Sequence, residues 1–134
     1  MKRKKLISWN VNGIRSVARK GFYQWLETAQ PDVLSVQETR AWPEQLTDEL
    51  LRPLGYESYF SRAEKKGYGG VAIYTRERPL DVIEGIDNPT FDCEGRTLTA
   101  QFQDFTLINA YFPNGQRDHA RVPYKLDYCA HFLT

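Results

Sequence analysis

Three apolar runs in this 134-residue sequence end in residues able to do chemistry. Residues 6–15 read LISWNVNGIR: Leu6, Ile7, Trp9 and Val11 suit a buried strand, whereas Asn10, Asn12, Gly13 and Arg15 are polar, flexible or charged. Residues 32–37, DVLSVQ, form a second apolar run that delivers Glu38 to its end, just ahead of Thr39 and Arg40. Residues 107–115, LINAYFPNG, repeat the design and end in Tyr111, Pro113, Asn114 and Gly115, with Arg117 just beyond. One carboxylate with amide neighbours can hold Mg²⁺, which keeps several waters and completes its shell with substrate phosphate. Read otherwise, Glu38 is a solvated residue at a strand end. A phenol such as Tyr111 beside a divalent cation can donate to, or ionise toward, a phosphate oxygen; core packing is its ordinary alternative. Residues 66–70, KGYGG, add a flexible loop carrying Lys66 and Tyr68, without the spacing of a P-loop.

Regular elements must position these residues. Strands are expected over 5–11 and 32–37. A helix between them over 22–29 carries Phe22, Trp25, Leu26 and Ala29 at helical spacing and is stopped by Gln30-Pro31. A second helix is expected over 43–54 on the stripe Leu46, Leu50, Leu51 and Leu54, closed by Gly55. Strands then follow over 56–61, 71–75, 97–102 and 106–112, the last two joined tightly at Gln103-Asp104. A helical pattern over 123–134 offers Tyr124, Leu126, Tyr128, Phe132 and Leu133 for burial. This order predicts an α/β (α+β) fold with a mixed sheet and helices on one face. If the first two strands are parallel neighbours, their carboxyl ends lie side by side, where open α/β sheets bind ligands. That places Asn10, Asn12 and Glu38 around one cleft.

Composition sets the class: 41% hydrophobic and 26% charged residues suit a soluble globular domain. A net charge of +1 does not by itself announce a polyanionic partner. The distribution of charge says more. Lys2, Arg3, Lys4, Lys5, Arg15, Arg19 and Lys20 precede Glu27 without an acidic residue among them, and acids dominate from Glu27 to Glu57. Such asymmetry suits a surface that meets a polyanion at one place, although Lys2 to Lys5 read equally as a solvated terminus. Cys93 and Cys129 fit no metal or redox spacing, so free thiols in a reducing compartment are expected. No run approaches the roughly 18 consecutive apolar residues of a membrane span. The expectation is a cytoplasmic protein with no membrane partner.

Taken in order, SWNVNGIR (8–15), PDVLSVQETR (31–40), GYGGVAIYTR (67–76), GRTLTAQF (95–102) and INAYFPNG (108–115) resemble one family. It is the exonuclease III and abasic-site endonuclease branch of the endonuclease/exonuclease/phosphatase superfamily. The resemblance implies Mg²⁺-assisted hydrolysis of DNA phosphodiesters, with Mn²⁺ as a possible substitute, on duplex DNA containing abasic sites or 3′ ends. Glu38 then resembles the metal-binding glutamate, and Asn10 the asparagine at the edge of the metal and phosphate site. Asn12 stands where some relatives have an aspartate, so its hold on metal would run through water. Tyr111 resembles the tyrosine near the scissile phosphate, and Asn114 the asparagine contacting substrate beside it. Arg15, Lys20, Gly67, Tyr68, Arg96 and Arg117 match positions that grip or support the DNA backbone.

The family's fold is a four-layer α/β/β/α sandwich with pseudo-symmetric halves. Residues 1–134 correspond to the N-terminal half, expected here as one mixed β-sheet with flanking helices. The inner face carrying Leu98, Ala100 and Phe102 would then lack a partner sheet and invite self-association. The family's Gly-Asp-x-Asn and Ser-Asp-His stretches are absent. Asp118-His119 sits in the loop after Tyr111 and does not replace the latter, and His131 reads as a surface or packing residue. The 134-residue chain alone is therefore expected to lack full nuclease activity. The rival readings are a superfamily phosphoesterase acting on phosphoinositides, sphingomyelin or RNA tails, and a non-catalytic half that associates with another chain.

Overall fold

The computed structural model describes residues 3–113 and 121–133. Strands β1 (Leu6–Asn10) and β2 (Val33–Gln37) pair in parallel, Leu6 opposite Val33 and Asn10 opposite Gln37. The return between them runs through two helices, α1 (Ile14–Ala18) and α2 (Phe22–Ala29). The second has the expected bounds and ends on Gln30, whose left-handed backbone donates to the Leu26 carbonyl. Strands β3 (Glu57–Ser61) and β4 (Val71–Thr75) complete a sheet of order β1-β2-β4-β3, antiparallel beyond β2. Period-two alternation gives this sheet two apolar faces. Leu34, Val36, Ala72 and Tyr74 pack against Ile14, Phe22 and Leu26 of the helices, while Val33, Val71 and Ile73 belong to a second core on the other side.

That second core corrects the expectation of one sheet. Strands β5 (Asp81–Glu84), β6 (Thr97–Gln101) and β7 (Thr106–Ala110) form a separate antiparallel sheet of order β5-β6-β7. Leu98, Ala100 and Phe102 are buried against Val33, Val71 and Ile73 of the first sheet. The face expected to lie bare is covered from within the chain, so self-association through it loses its basis. The sequence gives little sign of a second sheet because β5 is short, begins and ends in acids, and has little apolar alternation. Asn109, 2% exposed, joins the sheets: its amide donates to the Val36 and Ala72 carbonyls and accepts from Gln37 Nε2.

Helix α4 (Pro89–Asp92) and helix α5 (Val122–Phe132) lie beyond the second sheet. Tyr128 is fully buried, its hydroxyl 2.6 Å from Thr97 Oγ1, with Phe91, Phe112 and Phe132 around its ring. Tyr124, Tyr128 and Phe132 form one stripe four residues apart, whereas Leu126 and Leu133, expected inside, are exposed. The expected helix over 43–54 is broken into a 3₁₀ turn (Pro43–Gln45), helix α3 (Asp48–Leu51) and a second 3₁₀ turn (Pro53–Gly55). Thr47 restarts the chain as an N-cap, its hydroxyl accepting from Leu50 N–H, and Pro53 with a left-handed Leu54 ends it. Among the described residues no helix is long and apolar enough to cross a membrane.

Candidate active site

The carboxyl ends of β1 and β2 are woven to a third segment. Gly13 N–H donates to the Glu38 carbonyl at 2.7 Å and Ile14 N–H to that of Thr39 at 2.9 Å. From the other side, Thr39 and Arg40 donate to the carbonyls of Gly70 and Gly69. Asn12, Glu38 and Arg40 are held at φ of 49°, 56° and 52°. Left-handed conformations of non-glycine residues persist only where the surroundings impose them, and they gather at functional sites. Gly70 shows why the KGYGG loop needs glycine. Its φ is +88°, and a Cβ there would run into Thr39 Oγ1.

Glu38 emerges from this weave onto a cavity of about 620 Å³, which Arg40, Lys65, Tyr68, Glu94, Arg96, Tyr111 and Arg121 also line. The Tyr111 hydroxyl donates to Glu38 Oε1 at 2.5 Å, and Arg40 Nη2 stands 3.8 Å from Oε2. Burial, the bond to Glu38 and that carboxylate's charge raise the Tyr111 phenol above its ordinary value, against the pull of Arg96 and Arg40. The phenol is thereby kept a donor rather than a phenolate. Behind it, Arg96 donates from Nη1 to the Tyr111 carbonyl at 2.9 Å and from Nη2 to Glu94 at 2.8 Å. Arg121 Nη2 reaches both oxygens of Glu94, at 3.1 and 2.9 Å.

A second cavity of about 360 Å³ lies on the other flank, lined by Asn12, Gly13, Arg15, Ser16, Arg19, Arg40 and Gly67. Arg40 lines both, so the two are neighbours across it. Arg15 donates to the Arg40 carbonyl at 3.2 Å. Asn10 sits at the end of β1 beside the Glu38 strand, its Oδ1 accepting from Asn12 N–H at 3.0 Å. Lys20 is exposed after α1 and lines neither cavity. Tyr68 is 58% exposed, with Lys65 Nζ 4.0 Å from its ring centroid. Arg96, expected near the DNA backbone, is nearly buried and spends its outer nitrogens on Glu94 and Tyr111. Asn114, Arg117, Asp118 and His119 lie outside the described residues.

This arrangement of strand-end polar residues around a basic-lined cleft can be compared with known proteins. A family model for the endonuclease/exonuclease/phosphatase family matches residues 7–133. The chain belongs to that family. Its relatives in the endonuclease/exonuclease/phosphatase family include a DNA-(apurinic or apyrimidinic site) endonuclease of Dictyostelium discoideum. The two are 39% identical over 123 residues, 91% of this chain and 34% of that protein. An exodeoxyribonuclease of Bacillus subtilis is 39% identical over 125 residues, 92% of this chain and 48% of that one. Among solved structures, an AP endonuclease from Archaeoglobus fulgidus superposes with a TM-score of 0.84 at 32% identity, covering 97% of this chain and 49% of its own. A 3′ phosphatase from Neisseria bound to a product DNA hairpin gives 0.84 at 29% identity, covering 97% and 50%. The chain thus spans a third to a half of these relatives. The family fold of sheets with flanking helices agrees with the architecture described above.

Family nucleases are metal-dependent, and the donors present fit a hard cation. Glu38 offers a carboxylate and Asn12 lines the neighbouring cavity, while Asn10 lines neither and the Cys93 thiol shares the cavity of Glu38. Mg²⁺ takes one or two carboxylates and fills its shell with water and phosphate. The described residues contain no group of three or more His, Cys, Asp or Glu placed to share a metal. Arg40, Lys65, Glu94 and Arg121 are the cavity residues that the sequence patterns did not single out. Arg40 had a signal in standing two residues after Glu38. Glu94 and Arg121 had none, because 27 residues separate them and only the packing of α5 brings them together.

Proposed function

We propose that this chain carries one half of the active site of a DNA repair nuclease, and that residues 1–134 form the N-terminal half of its domain. The reaction is Mg²⁺-dependent hydrolysis of phosphodiesters at abasic sites and 3′ ends of duplex DNA, of the exodeoxyribonuclease III type. The observation that carries this reading is the Tyr111–Glu38 bond at the wall of a cavity to which Arg40, Lys65, Arg96 and Arg121 bring positive charge. The names of the relatives, which are nucleases acting on DNA, favour DNA over other phosphoesters.

Glu38, with Asn10 and Asn12 beside it, would hold Mg²⁺. When bound, the metal supplies charge for a non-bridging phosphate oxygen and a leaving alkoxide. The chain's own residues do the rest of this half's work. Tyr111 brings a protonated donor to the same carboxylate, placed to hydrogen-bond a phosphate oxygen once substrate enters. Arg15, Arg40, Lys65 and Arg121 neutralise phosphates on either side, contributing affinity and position rather than sequence reading. Tyr68 presents an exposed ring at the rim.

The test is fluorescence anisotropy with Mg²⁺ and a duplex carrying one abasic-site analogue, compared with undamaged duplex. Preferential binding of the abasic duplex, weakened by Glu38→Gln in Mg²⁺ and not in EDTA, is the expected result. Equal indifference to both duplexes, with binding of inositol phosphates instead, would transfer the reading to a phosphoesterase of the same superfamily.

A further inference from the structure

We propose that Glu94 is a positioning residue of the DNA-binding cleft: its carboxylate clamps Arg96 and Arg121 as a pair, presenting Arg121 to a backbone phosphate while Arg96 fixes the strand end that bears Tyr111. This rests on the DNA reading above and adds a residue to it. Oε1 of Glu94 accepts from both guanidiniums and Oε2 from Arg121 alone. The two arginines are not equivalent. Arg96 is nearly buried, and its exchange with Tyr111 is reciprocal: Tyr111 N–H donates to the Arg96 carbonyl, and Arg96 Nη1 donates to the Tyr111 carbonyl. Arg121 keeps about a third of its side chain exposed and lines the cavity. The Tyr124 ring backs both, 4.1 Å from the Arg121 guanidinium and 5.5 Å from that of Arg96.

Glu94 itself cannot swing away. Its N–H donates to the Phe91 carbonyl, and it bridges Ala63. The following Gly95, at φ +62°, lies where a Cβ would stand 2.5 Å from the Arg62 carbonyl carbon. The clamp is thus anchored on two segments, both of which line the cavity. Arg121 is gripped through Nη2 by both Glu94 oxygens, and a guanidinium already oriented in this way loses less rotamer freedom when it meets a phosphate than a free one does. That is what a carboxylate in a polyanion-binding cleft can supply in return for the unfavourable charge it brings.

The sign of one substitution separates this role from a spectator ion pair. Glu94→Gln removes a negative charge from a cleft for DNA, so Coulomb attraction alone predicts tighter binding. Positioning predicts the reverse. Anisotropy is measured in EDTA with the abasic-analogue duplex across a salt series, for the unsubstituted chain, Glu94→Gln, Arg121→Gln and the double variant. The expected result is binding weakened by about tenfold in Glu94→Gln and in Arg121→Gln, each with a salt slope lower by about one. The double variant is expected to be no weaker than Arg121→Gln. Tighter or unchanged binding by folded Glu94→Gln overturns the proposal, as do independent, additive losses in the double variant. Arg121 is about a third exposed, so should Glu94→Gln fail to fold, an Arg121→Gln variant that binds like the unsubstituted chain overturns it equally. If the unsubstituted chain binds no DNA, the nuclease reading itself falls and takes the role of Glu94 with it.

Discussion

Glu38 divides its two oxygens between different partners, the Tyr111 phenol on Oε1 and the Arg40 guanidinium facing Oε2. If Glu38 is the metal carboxylate, the two neighbours have separable effects. Glu38→Gln removes the charge that holds the cation, and Mn²⁺ titration followed by electron paramagnetic resonance is expected to show affinity lower by at least about tenfold. Tyr111→Phe leaves the carboxylate intact and frees one lone pair, so Mn²⁺ affinity is expected to stay within about threefold. Equal losses in both variants would make the phenol part of the metal site instead. At Glu94 the measurement is stability against pH. Burial alone would raise its pKa, but hydrogen bonds from Arg96 and Arg121 outweigh it and hold the carboxyl below its ordinary 4.5. A depressed folded value means that the stabilisation is present above 4.5 and is lost as pH falls through the folded value. Urea denaturation should therefore show a gap between the unsubstituted chain and Glu94→Gln that is constant near neutrality and closes below pH 4.5. No gap between the two near neutrality would mean that the ion pairs contribute nothing.

Between elements, the most exacting contact is the one that Asn109 makes. It leaves β7, crosses the interface of the two sheets and satisfies the Val36 and Ala72 carbonyls two residues before Tyr111. Asn109→Ala strips both carbonyls and Gln37 of a partner and opens a void, a loss of about 2–3 kcal/mol. Thermal melts should show that loss, and the Tyr111 strand end should lose order with it; a melt unchanged within error would remove Asn109 from the architecture. This contact explains what the sequence could and could not disclose. Strands β1, β2, β3, β4, β6 and β7 and helices α2 and α5 were legible because each is a local apolar run or helical stripe. The meeting of Glu38 and Tyr111 was legible because each ends an apolar run. The division into two sheets was not, since it depends on which alternate residues face each other across an interface. The broken helix was hidden because leucine spacing persists across Thr47 and Pro53, while capping and φ restriction decide the backbone there.

For the molecule as a whole, the two cavities share Arg40 as a common wall, yet the chemistry of this cleft is lopsided. In-line hydrolysis needs a charge stabiliser at the phosphorus, a group to take the proton of the attacking water, and help for the leaving oxygen. Among the described residues lining the cleft, the carboxylates are Glu38 and Glu94. Glu94 is committed to two arginines, and Tyr111, held protonated, cannot serve as a base near neutrality. If Glu38 holds the metal, no other carboxylate among the described residues lining the cavities is left to manage the water. The 134-residue chain is expected to bind abasic duplex DNA and Mg²⁺ without turning over. Incubation with a labelled abasic duplex under multiple-turnover conditions checks this on a denaturing gel. Repeated strand cleavage that Glu38→Gln abolishes would show that a proton acceptor in this chain completes the site. Binding without cleavage would mean that the proton acceptor lies outside residues 1–134, which match about half the length of the family's solved structures.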